Sequence, residues 1–234
     1  EAFSNVPEIV LVSPSKWLAY YLQESYLREY PVRVLNNGID LELFYQRSSE
    51  VVRKKYGLTD QQFVILGVAA GFEDERKGFK YFVELARKID DGCTIILVGV
   101  SDEQRAQLPN KIIGFKRTQD VNELAELYST ADVFVIPSLE DNFPTVNLEA
   151  MACGTPIVAF DTGGISEQVS EGCGIVVEKG NLDALYQAII QVKQETKAKY
   201  SENCLKAARS LYDKRKMIND YIELYQEMLA SENI

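Results

Sequence analysis

The sequence predicts an α/β fold, in which a doubly wound, Rossmann-like parallel sheet of about six strands carries helices on both faces. Short, continuously apolar runs alternate with amphipathic ones over about residues 58–195, as expected for parallel strands that are covered on both faces. The apolar fraction of 46% in a chain of 234 residues is enough for a large packed core.

Each element follows from the local pattern. Strands are predicted where apolar residues are consecutive, at residues 8–13, 63–69, 94–99, 111–113, 132–136, 156–160 and 174–177. Helices are predicted where apolar residues recur at helical spacing, at residues 14–30, 48–56, 78–90, 101–107, 119–130, 145–153, 164–170 and throughout 181–230. A further short strand and an Asn-Asn-Gly turn are predicted within residues 31–44.

The chain divides into four regions. Residues 1–30 hold one strand and one helix, which cannot make a domain alone, so we expect them to be the last βα unit of a preceding domain. Residues 31–57 form a linker and a first helix, residues 58–195 form the Rossmann-like domain, and residues 196–234 form C-terminal helices.

Composition excludes several classes of function. The net charge of −10 disfavours binding to nucleic acid or to a broad anionic membrane surface. The chain has no His, so acid–base chemistry must use other side chains or residues outside this chain. Its four cysteines are predicted to be buried, reduced thiols. No signal peptide or membrane-length apolar run is recognised, which predicts a cytoplasmic location, although a chain that opens on Glu1 leaves an upstream segment open.

The carboxyl ends of the strands are where an open parallel sheet binds ligands. After the first main strand, Arg76 and Lys77 lie at a helix start, where anions are normally preferred. Cations there fit a phosphate held between them and the helix dipole. The alternative is a solvated cationic pair that answers Glu73, Asp74 and Glu75. A metal site on those three carboxylates is disfavoured, because adjacent residues of a loop point apart.

The stretch IPSLEDNFPTVNLEAMACGTPIVAF places acidic groups on both sides of a helix start. Pro144 suits the first helical position, so the free amides of residues 145–147 are expected to point into the cleft. Asp141 lies in the loop before the helix and Glu149 lies one turn inside it. The two carboxylates could accept bonds from hydroxyl groups of a polar ligand whose phosphates lie on the helix start. Each could equally be an ordinary loop, capping or first-turn residue.

A glycine pair begins the next helix. Gly163 and Gly164 lack a Cβ and permit either close approach of a ligand or a plain tight turn. No G-x-G-x-x-G follows a strand, and neither G-x-x-x-x-G-K-[ST] nor G-x-S-x-G occurs. Dinucleotide oxidoreductases, P-loop enzymes and α/β-hydrolases are therefore disfavoured.

The stretch PSLEDNFPTVNLEAMACGTPIVAFDTGGISEQV resembles the donor-binding half of retaining glycosyltransferases of the GT-B fold, family 4, the group 1 glycosyltransferases. Their signature is an acidic residue, seven residues and a Glu, followed by A-M-A-C/S-G-x-P and G-G-x-x-E. Here the spacing runs from Asp141 to Glu149. SKWLAYYL with VLNNGIDLELF resembles the linker between the family's two domains, and RKGFKYFVELA resembles its Lys-Gly helix. The resemblance covers nearly the whole chain.

The resemblance implies a site for a nucleotide-diphosphate sugar, such as a UDP- or GDP-sugar, without metal or cofactor. Glu149 would bind the ribose hydroxyls and Asp141 would face the transferred sugar. Lys77, helped by Arg76, would bind the diphosphate and stabilise the charge that grows as the glycosidic bond breaks. The other expected donor-binding residues are Glu140, Asn142, Phe143, Thr145, Val146, Gly114, Phe115, Lys116, Gly163 and Gly164. Of these, the loop at Gly114, Phe115 and Lys116 would lie along the nucleotide base.

The chain departs from the family pattern in three ways. Asp141 stands where Glu is usual, so either its carboxylate reaches one methylene less or Glu140 takes over its role. Asn142, Phe143 and Pro144 replace a Gly-x-Gly, which removes one amide donor. Phe72 stands at the position of an Arg, which leaves the second phosphate-binding cation open.

The resemblance also implies a role for the whole chain. We expect the donor half of a hexosyltransferase that acts with retention on a saccharide or lipid-linked acceptor in cell-surface polysaccharide biosynthesis. The acceptor domain is missing, so this chain alone is expected to be inactive, and the full protein could lie at the inner face of the membrane. The last helix, about residues 213–230, would normally cross back to that domain, so an exposed apolar face and self-association are expected. The alternatives are a GT-B sugar-nucleotide epimerase and a non-catalytic nucleotide-sugar binding module.

Overall fold

The computed structural model describes residues 8–231. The strands are β1 (Leu11–Ser13), β2 (Val32–Val34), β3 (Phe63–Val68), β4 (Cys93–Val98), β5 (Ile112–Phe115), β6 (Val133–Ile136), β7 (Ile157–Phe160) and β8 (Gly174–Val177). The helices are α1 (Lys16–Gln23), α2 (Glu50–Tyr56), α3 (Phe79–Lys88), α4 (Asp102–Arg105), α5 (Val121–Thr130), α6 (Thr145–Ala152), α7 (Ile165–Gln168), α8 (Leu182–Glu195), α9 (Ala198–Leu211) and α10 (Lys214–Ser231).

The main sheet has six parallel strands in the order β5-β4-β3-β6-β7-β8, which confirms the predicted fold class. The chain leaves β3 towards β5 on one side and returns through α5 to β6 on the other side. Ile65 of β3 is in register with Val133 of β6 at the centre of the sheet. This arrangement creates a topological switch point between β3 and β6, where ligands of doubly wound sheets bind.

The core lies on both faces of this sheet. All six residues of β4 are buried, as are the four residues of β6 and of β7, which explains their continuously apolar sequences. Phe82 of α3 and Tyr128 of α5 are among the largest fully buried side chains. The four cysteines are buried and free, as predicted.

The N-terminal unit, residues 8–35, is built around β1, α1 and β2. In the described part of the chain, β1 pairs in parallel with β2 alone, and the two strands form a sheet separate from the main one. The predicted helix over residues 14–30 is wrong in its second half, because α1 ends at Gln23. The Ser25 hydroxyl donates to the Leu22 carbonyl and accepts from the Leu27 amide, which favours turns over further helix.

The C-terminal segment, predicted to be helical throughout residues 181–230 with a last helix from about residue 213, consists of the three helices α8, α9 and α10. The first break lies at Thr196, whose φ is 64°. The second lies before α10, where Ile39 of the linker accepts from the Lys214 amide and donates to the Tyr212 carbonyl. These contacts tie the start of α10 to the linker, and α10 begins at Lys214, close to the predicted start at about residue 213.

Helix α10 exposes an apolar face, as predicted. Ile218, Ile222, Tyr225 and Leu229 are 47–61% exposed, whereas Leu224 is buried. Within residues 8–231, no helix is both long enough and apolar enough to cross a membrane.

Candidate functional site

A cavity of about 200 Å³ lies at the switch point between β3 and β6. Its walls come from the carboxyl ends of both strands, from the turn after β3 and from the start of α6. The residues that matter most for its chemistry are Phe72, Lys77, Ser138, Asp141, Thr145 and Val146. The cavity therefore brings together the Lys-Gly turn and the acidic stretch that the sequence singled out separately.

Lys77 is positioned by a single 3₁₀ turn, Glu75–Lys77, that ends at Gly78. Gly78 has a φ of 74°, and a Cβ on it would lie 2.2 Å from the Pro137 carbonyl oxygen. Only glycine therefore lets this turn pack against the end of β6. The packing aims the Lys77 side chain along the cavity wall.

Lys77 and Asp141 form an ion pair in the cavity wall. Lys77 Nζ lies 2.8 Å from Asp141 Oδ2, and the side chains are 31% and 14% exposed. Water and salt screen a half-buried pair less than a surface pair. The structure thus joins the residue expected to bind the diphosphate, Lys77, to the residue expected to face the transferred sugar, Asp141.

Arg76 lies outside this wall. Its guanidinium donates to both oxygens of Asp74, lies 3.9 Å from Glu140, and is 61% exposed. This is the solvated pairing with the acidic run that the sequence left open. Help from Arg76 or Glu140 in donor binding stays a prediction. In the described chain, no three His, Cys, Asp or Glu side chains gather as metal ligands would.

The start of α6 faces the cavity with two free amides. Pro144 is the residue before the helix rather than its first residue, since its carbonyl accepts from the Asn147 amide at 3.3 Å. The expected free amide at Asn147 is therefore wrong. Within residues 8–231 the amides of Thr145 and Val146 have no hydrogen-bond acceptor. A helix N-terminus with free N–H groups attracts anions.

Glu149 lies one turn further along α6 and is held differently from Asp141. Burial raises the pKa of Glu149, while the hydroxyls of Tyr128 and Thr145, which face the carboxyl, act in the opposite direction. In the part of the chain described, neither Glu149 Oε2 nor Tyr128 Oη makes a hydrogen bond, although both are buried. The Glu149 carboxyl does not line the cavity itself.

Asn142 and Phe143 face away from Lys77. Asn142 Oδ1 accepts a 2.5 Å hydrogen bond from Ser15 Oγ. The Phe143 ring is buried, with its centroid 6.0 Å from that of Tyr212, and it lines a second cavity beside α10. Donor contacts of these two residues remain a prediction, and the structure shows them tied to other parts of the chain.

The predicted base-binding residues lie at the end of β5, two strands from β3. Phe115 stacks on Tyr56, with ring centroids 5.3 Å apart. A Cβ on Gly114 would lie 2.4 Å from the Leu108 side chain, and Lys116 is exposed. Their role in binding a base stays a prediction.

Gly163 and Gly164 bring the start of α7 against residues 141–142. Gly163 has a φ of 57°, and a Cβ on it would lie 1.6 Å from the Asp141 carbonyl oxygen. The Gly164 amide donates to the Asn142 carbonyl at 2.8 Å. Both glycines therefore allow close packing against the loop of residues 141–142. Their role in donor binding stays a prediction.

Glu167, in the short helix α7, reaches across to the start of a distant helix. Its carboxylate accepts from the backbone amides of Lys16 and Trp17 at 2.8 and 2.7 Å. Helix α1 has no acidic residue in its own first turn, so an acid from elsewhere can serve there. That missing acid was the one feature of the sequence that could have indicated this contact.

Comparison with known proteins agrees with the geometry. The family model described as "Glycosyl transferases group 1" matches residues 62–195, more than half of the chain. The chain belongs to this family. The match covers the strands from β3 to β8 and the whole of the cavity, so the expected membership of group 1 is confirmed.

Curated relatives of this group 1 chain include the alpha-maltose-1-phosphate synthase of Mycobacterium tuberculosis. It is 33% identical over 174 residues, which are 64% of this chain and 44% of the relative. The N,N'-diacetylbacillosaminyl-diphospho-undecaprenol alpha-1,3-N-acetylgalactosaminyltransferase of Campylobacter jejuni is 25% identical, over 98% of this chain and 63% of the relative. This chain thus spans about half the length of the curated relatives it matches.

Solved structures share the fold. The sucrose-phosphate synthase of Thermosynechococcus elongatus has a TM-score of 0.84 and 27% identity, over 95% of this chain and 59% of that one. The Anabaena protein HepE in complex with UDP-glucose has a TM-score of 0.78 over 93% of this chain and 64% of that one. At 21% identity, the second likeness shows the fold alone.

Proposed function

We propose that this chain is the donor-binding part of a retaining, family 4 glycosyltransferase that uses a nucleotide-diphosphate sugar. The observation that carries the proposal is the convergence of Lys77 Nζ and the free amides of Thr145 and Val146 on one cavity at the switch point. A cation and a helix N-terminus together make a site for a doubly charged anion.

The size of the cavity supports a diphosphate rather than a whole donor. Sites that enclose small organic ligands usually measure about 300–1,000 Å³. The cavity of about 200 Å³ is smaller, so we place the diphosphate there and the nucleoside and sugar beyond its walls. HepE, which shares the fold, was solved in complex with UDP-glucose, and we propose a ligand of the same chemical class, a nucleotide sugar, for this chain.

The two carboxylates take different parts of the donor in this proposal. Glu149 Oε2 is buried without a partner, which is costly, and two ribose hydroxyls would satisfy it. Asp141 lies on the cavity side of the loop, next to Lys77, and would face the sugar. This assignment gives each carboxylate of the acidic-x₇-Glu motif a separate hydroxyl-binding role.

Transfer breaks the bond between the anomeric carbon and the diphosphate, and negative charge grows on the leaving phosphate. Lys77 and the two amides would stabilise this charge in a partly water-excluded site, which lowers the barrier. The protein would need no metal for this step, because its own groups supply the positive charge. We expect the sugar to be delivered to a saccharide or lipid-linked saccharide, as the name of the C. jejuni relative says of that enzyme.

Acceptor binding is placed outside this chain. The curated relatives compared above are matched over only 44% and 63% of their length, and we assign the acceptor site to the remainder of such a protein. This chain alone is then expected to bind donor weakly and to transfer no sugar. Turnover by the purified chain would contradict that expectation. A role in cell-surface polysaccharide synthesis, at the cytoplasmic side of the membrane, completes the proposal.

Calorimetric titration tests the donor site. The chain is titrated with UDP, GDP, ADP and CMP in the presence of EDTA, together with Glu149→Ala and Lys77→Met. We expect one diphosphate to bind selectively and both variants to lose at least about tenfold in affinity. Lys80→Met, which removes an exposed cation of α3 outside the cavity, is the control and should bind normally. Absence of binding by every nucleotide to a folded wild-type chain would overturn the proposal.

A further inference from the structure

A hydrogen bond joins the N-terminal unit to the loop that carries Asp141. Ser15 Oγ donates to Asn142 Oδ1 at 2.5 Å, across 127 residues of sequence. Ser15 is fully buried and also begins α1, since its oxygen accepts from the Leu18 amide at 3.0 Å. The same side chain therefore fixes the start of α1 and touches the residue next to Asp141.

Two further contacts strengthen this junction. Asn37 of the linker donates from Nδ2 to the Phe143 carbonyl at 3.1 Å. Asn36 donates from Nδ2 to the Pro14 carbonyl, beside Ser15, at 2.8 Å. The N-terminal unit and the linker thus hold residues 142–143 from one side.

The other side of Asn142 is held by the main domain. Its carbonyl accepts from the Gly164 amide at 2.8 Å, while the adjacent Asp141 carboxylate pairs with Lys77 at 2.8 Å. Because Gly163 packs directly on the Asp141 carbonyl, this loop has little room to move independently. A displacement of α1 is therefore passed to Asp141 directly through Asn142, and also through α7, where Glu167 accepts from the first amides of α1.

We propose that Asn142 is a positioning residue that couples the placement of the N-terminal unit to the placement of Asp141 and Lys77, and hence to donor affinity. The choice of ligand rests on the proposed function above. The coupling itself rests only on the bond to Ser15 and on the packing of the loop. In this account Ser15, which lies outside the cavity wall, contributes to binding by keeping the site in its bound geometry.

Amide hydrogen exchange tests the coupling without any ligand. Asn142→Ala removes the bond and leaves the cap of α1 intact, whereas Ser15→Ala removes both. We expect each variant to exchange at least about fivefold faster over residues 139–147, because the loop opens more often. Ser15→Thr keeps the hydroxyl and should restore slow exchange. Ser25→Ala, at the far end of α1, is the matched control and should change nothing there.

Titration with UDP, or with whichever diphosphate the wild type selects, completes the test. Asn142→Ala and Ser15→Ala should each weaken binding by about three- to tenfold, and the double variant should be no weaker than the poorer single one. Wild-type exchange in the loop of Asn142→Ala, or additive losses in the double variant, would overturn the proposal. A wild-type chain that binds no nucleotide contradicts the proposed function instead, and the exchange series then decides the coupling alone.

Discussion

The loop before α6 and the second turn of α6 hold two carboxylates in opposite surroundings. Asp141, in the loop, faces the Lys77 ammonium across 2.8 Å at the wall of the cavity. Glu149, one turn inside the helix, is buried with Oε2 unpartnered, and burial raises its pKa. The acidic-x₇-Glu motif therefore does not make a pair of equivalent acids.

This difference follows from backbone geometry. The loop is pressed against the start of α7 and the Lys77 turn, so its side chain meets a cation. The helix turns Glu149 towards Tyr128 of α5, where no cation stands beside it in the interactions that set its pKa. A largely buried carboxylate that is paired with a cation, such as Asp141, costs less free energy than one without a cation, such as Glu149. The unpaired carboxylate therefore gains more when a ligand brings hydroxyl donors.

The largest effect is expected from displacing the loop that carries Asp141. Gly163→Ala places a Cβ 1.6 Å from the Asp141 carbonyl at a φ of 57°, and should destabilise the chain by roughly 2–5 kcal/mol. Gly57→Ala is the matched control, since its φ is 66° with nothing within 4 Å of the added Cβ. It should cost only about 1 kcal/mol. Urea unfolding measures both, and equal losses would show that the loop contact is unimportant.

The next largest effect is expected from removing the cation of the site, Lys77. Lys77→Met keeps much of the side-chain volume but removes the charge, and should weaken binding of the selected diphosphate by about 10- to 100-fold. Asp141, left without its cation in this variant, is an anion and should not bind phosphate in place of Lys77. Titration against Lys80→Met gives the comparison, and an unchanged affinity in Lys77→Met would remove Lys77 from the site.

Glu149→Gln sharpens the contrast between the two carboxylates. A carboxyl whose pKa is raised in the folded state binds more protons folded than unfolded, so stability falls as pH rises above its ordinary value of 4.5. The variant should therefore unfold at higher urea than the wild type at pH 7, with the difference shrinking at acid pH. It should also bind the diphosphate about tenfold more weakly. A variant less stable at pH 7 would mean that the carboxylate has a stabilising partner.

Arg76→Gln should have the smallest effect. Its guanidinium is exposed and pairs with Asp74, outside the cavity wall. Nucleotide affinity should change by less than about threefold, as for other exposed ion pairs. A loss comparable to that of Lys77→Met would make Arg76 the second phosphate-binding cation that the sequence left open.

The sheet and the order of its elements could be predicted because buried parallel strands must be continuously apolar. β4 and β6 illustrate this, since every residue in them is buried. The meeting of Lys77 and Asp141 was also within reach, because both follow strands that end at the same edge. Some helix ends were less predictable, since α1 ends at Gln23, where the Ser25 hydroxyl bonds to the Leu22 carbonyl and the Leu27 amide and favours turns.

The tertiary contacts that hold the loop around Asp141 could not be predicted from the local sequence pattern. Residue 163 must be glycine because a Cβ there would clash with the Asp141 carbonyl, which lies in a different loop. Glu167 caps a helix that lies 150 residues away in sequence. Such partners carry no periodic pattern, because each depends on one tertiary contact. These contacts hold the loop, so the detailed position of Asp141 became clear only in the structure.

A crystal structure of this chain with the bound nucleoside diphosphate tests the central claim most directly. The account predicts phosphate oxygens within hydrogen-bond distance of Lys77 Nζ and of the Thr145 and Val146 amides, with ribose hydroxyls on Glu149. A nucleotide bound elsewhere, with Lys77 still paired to Asp141 and no phosphate at the start of α6, would contradict it.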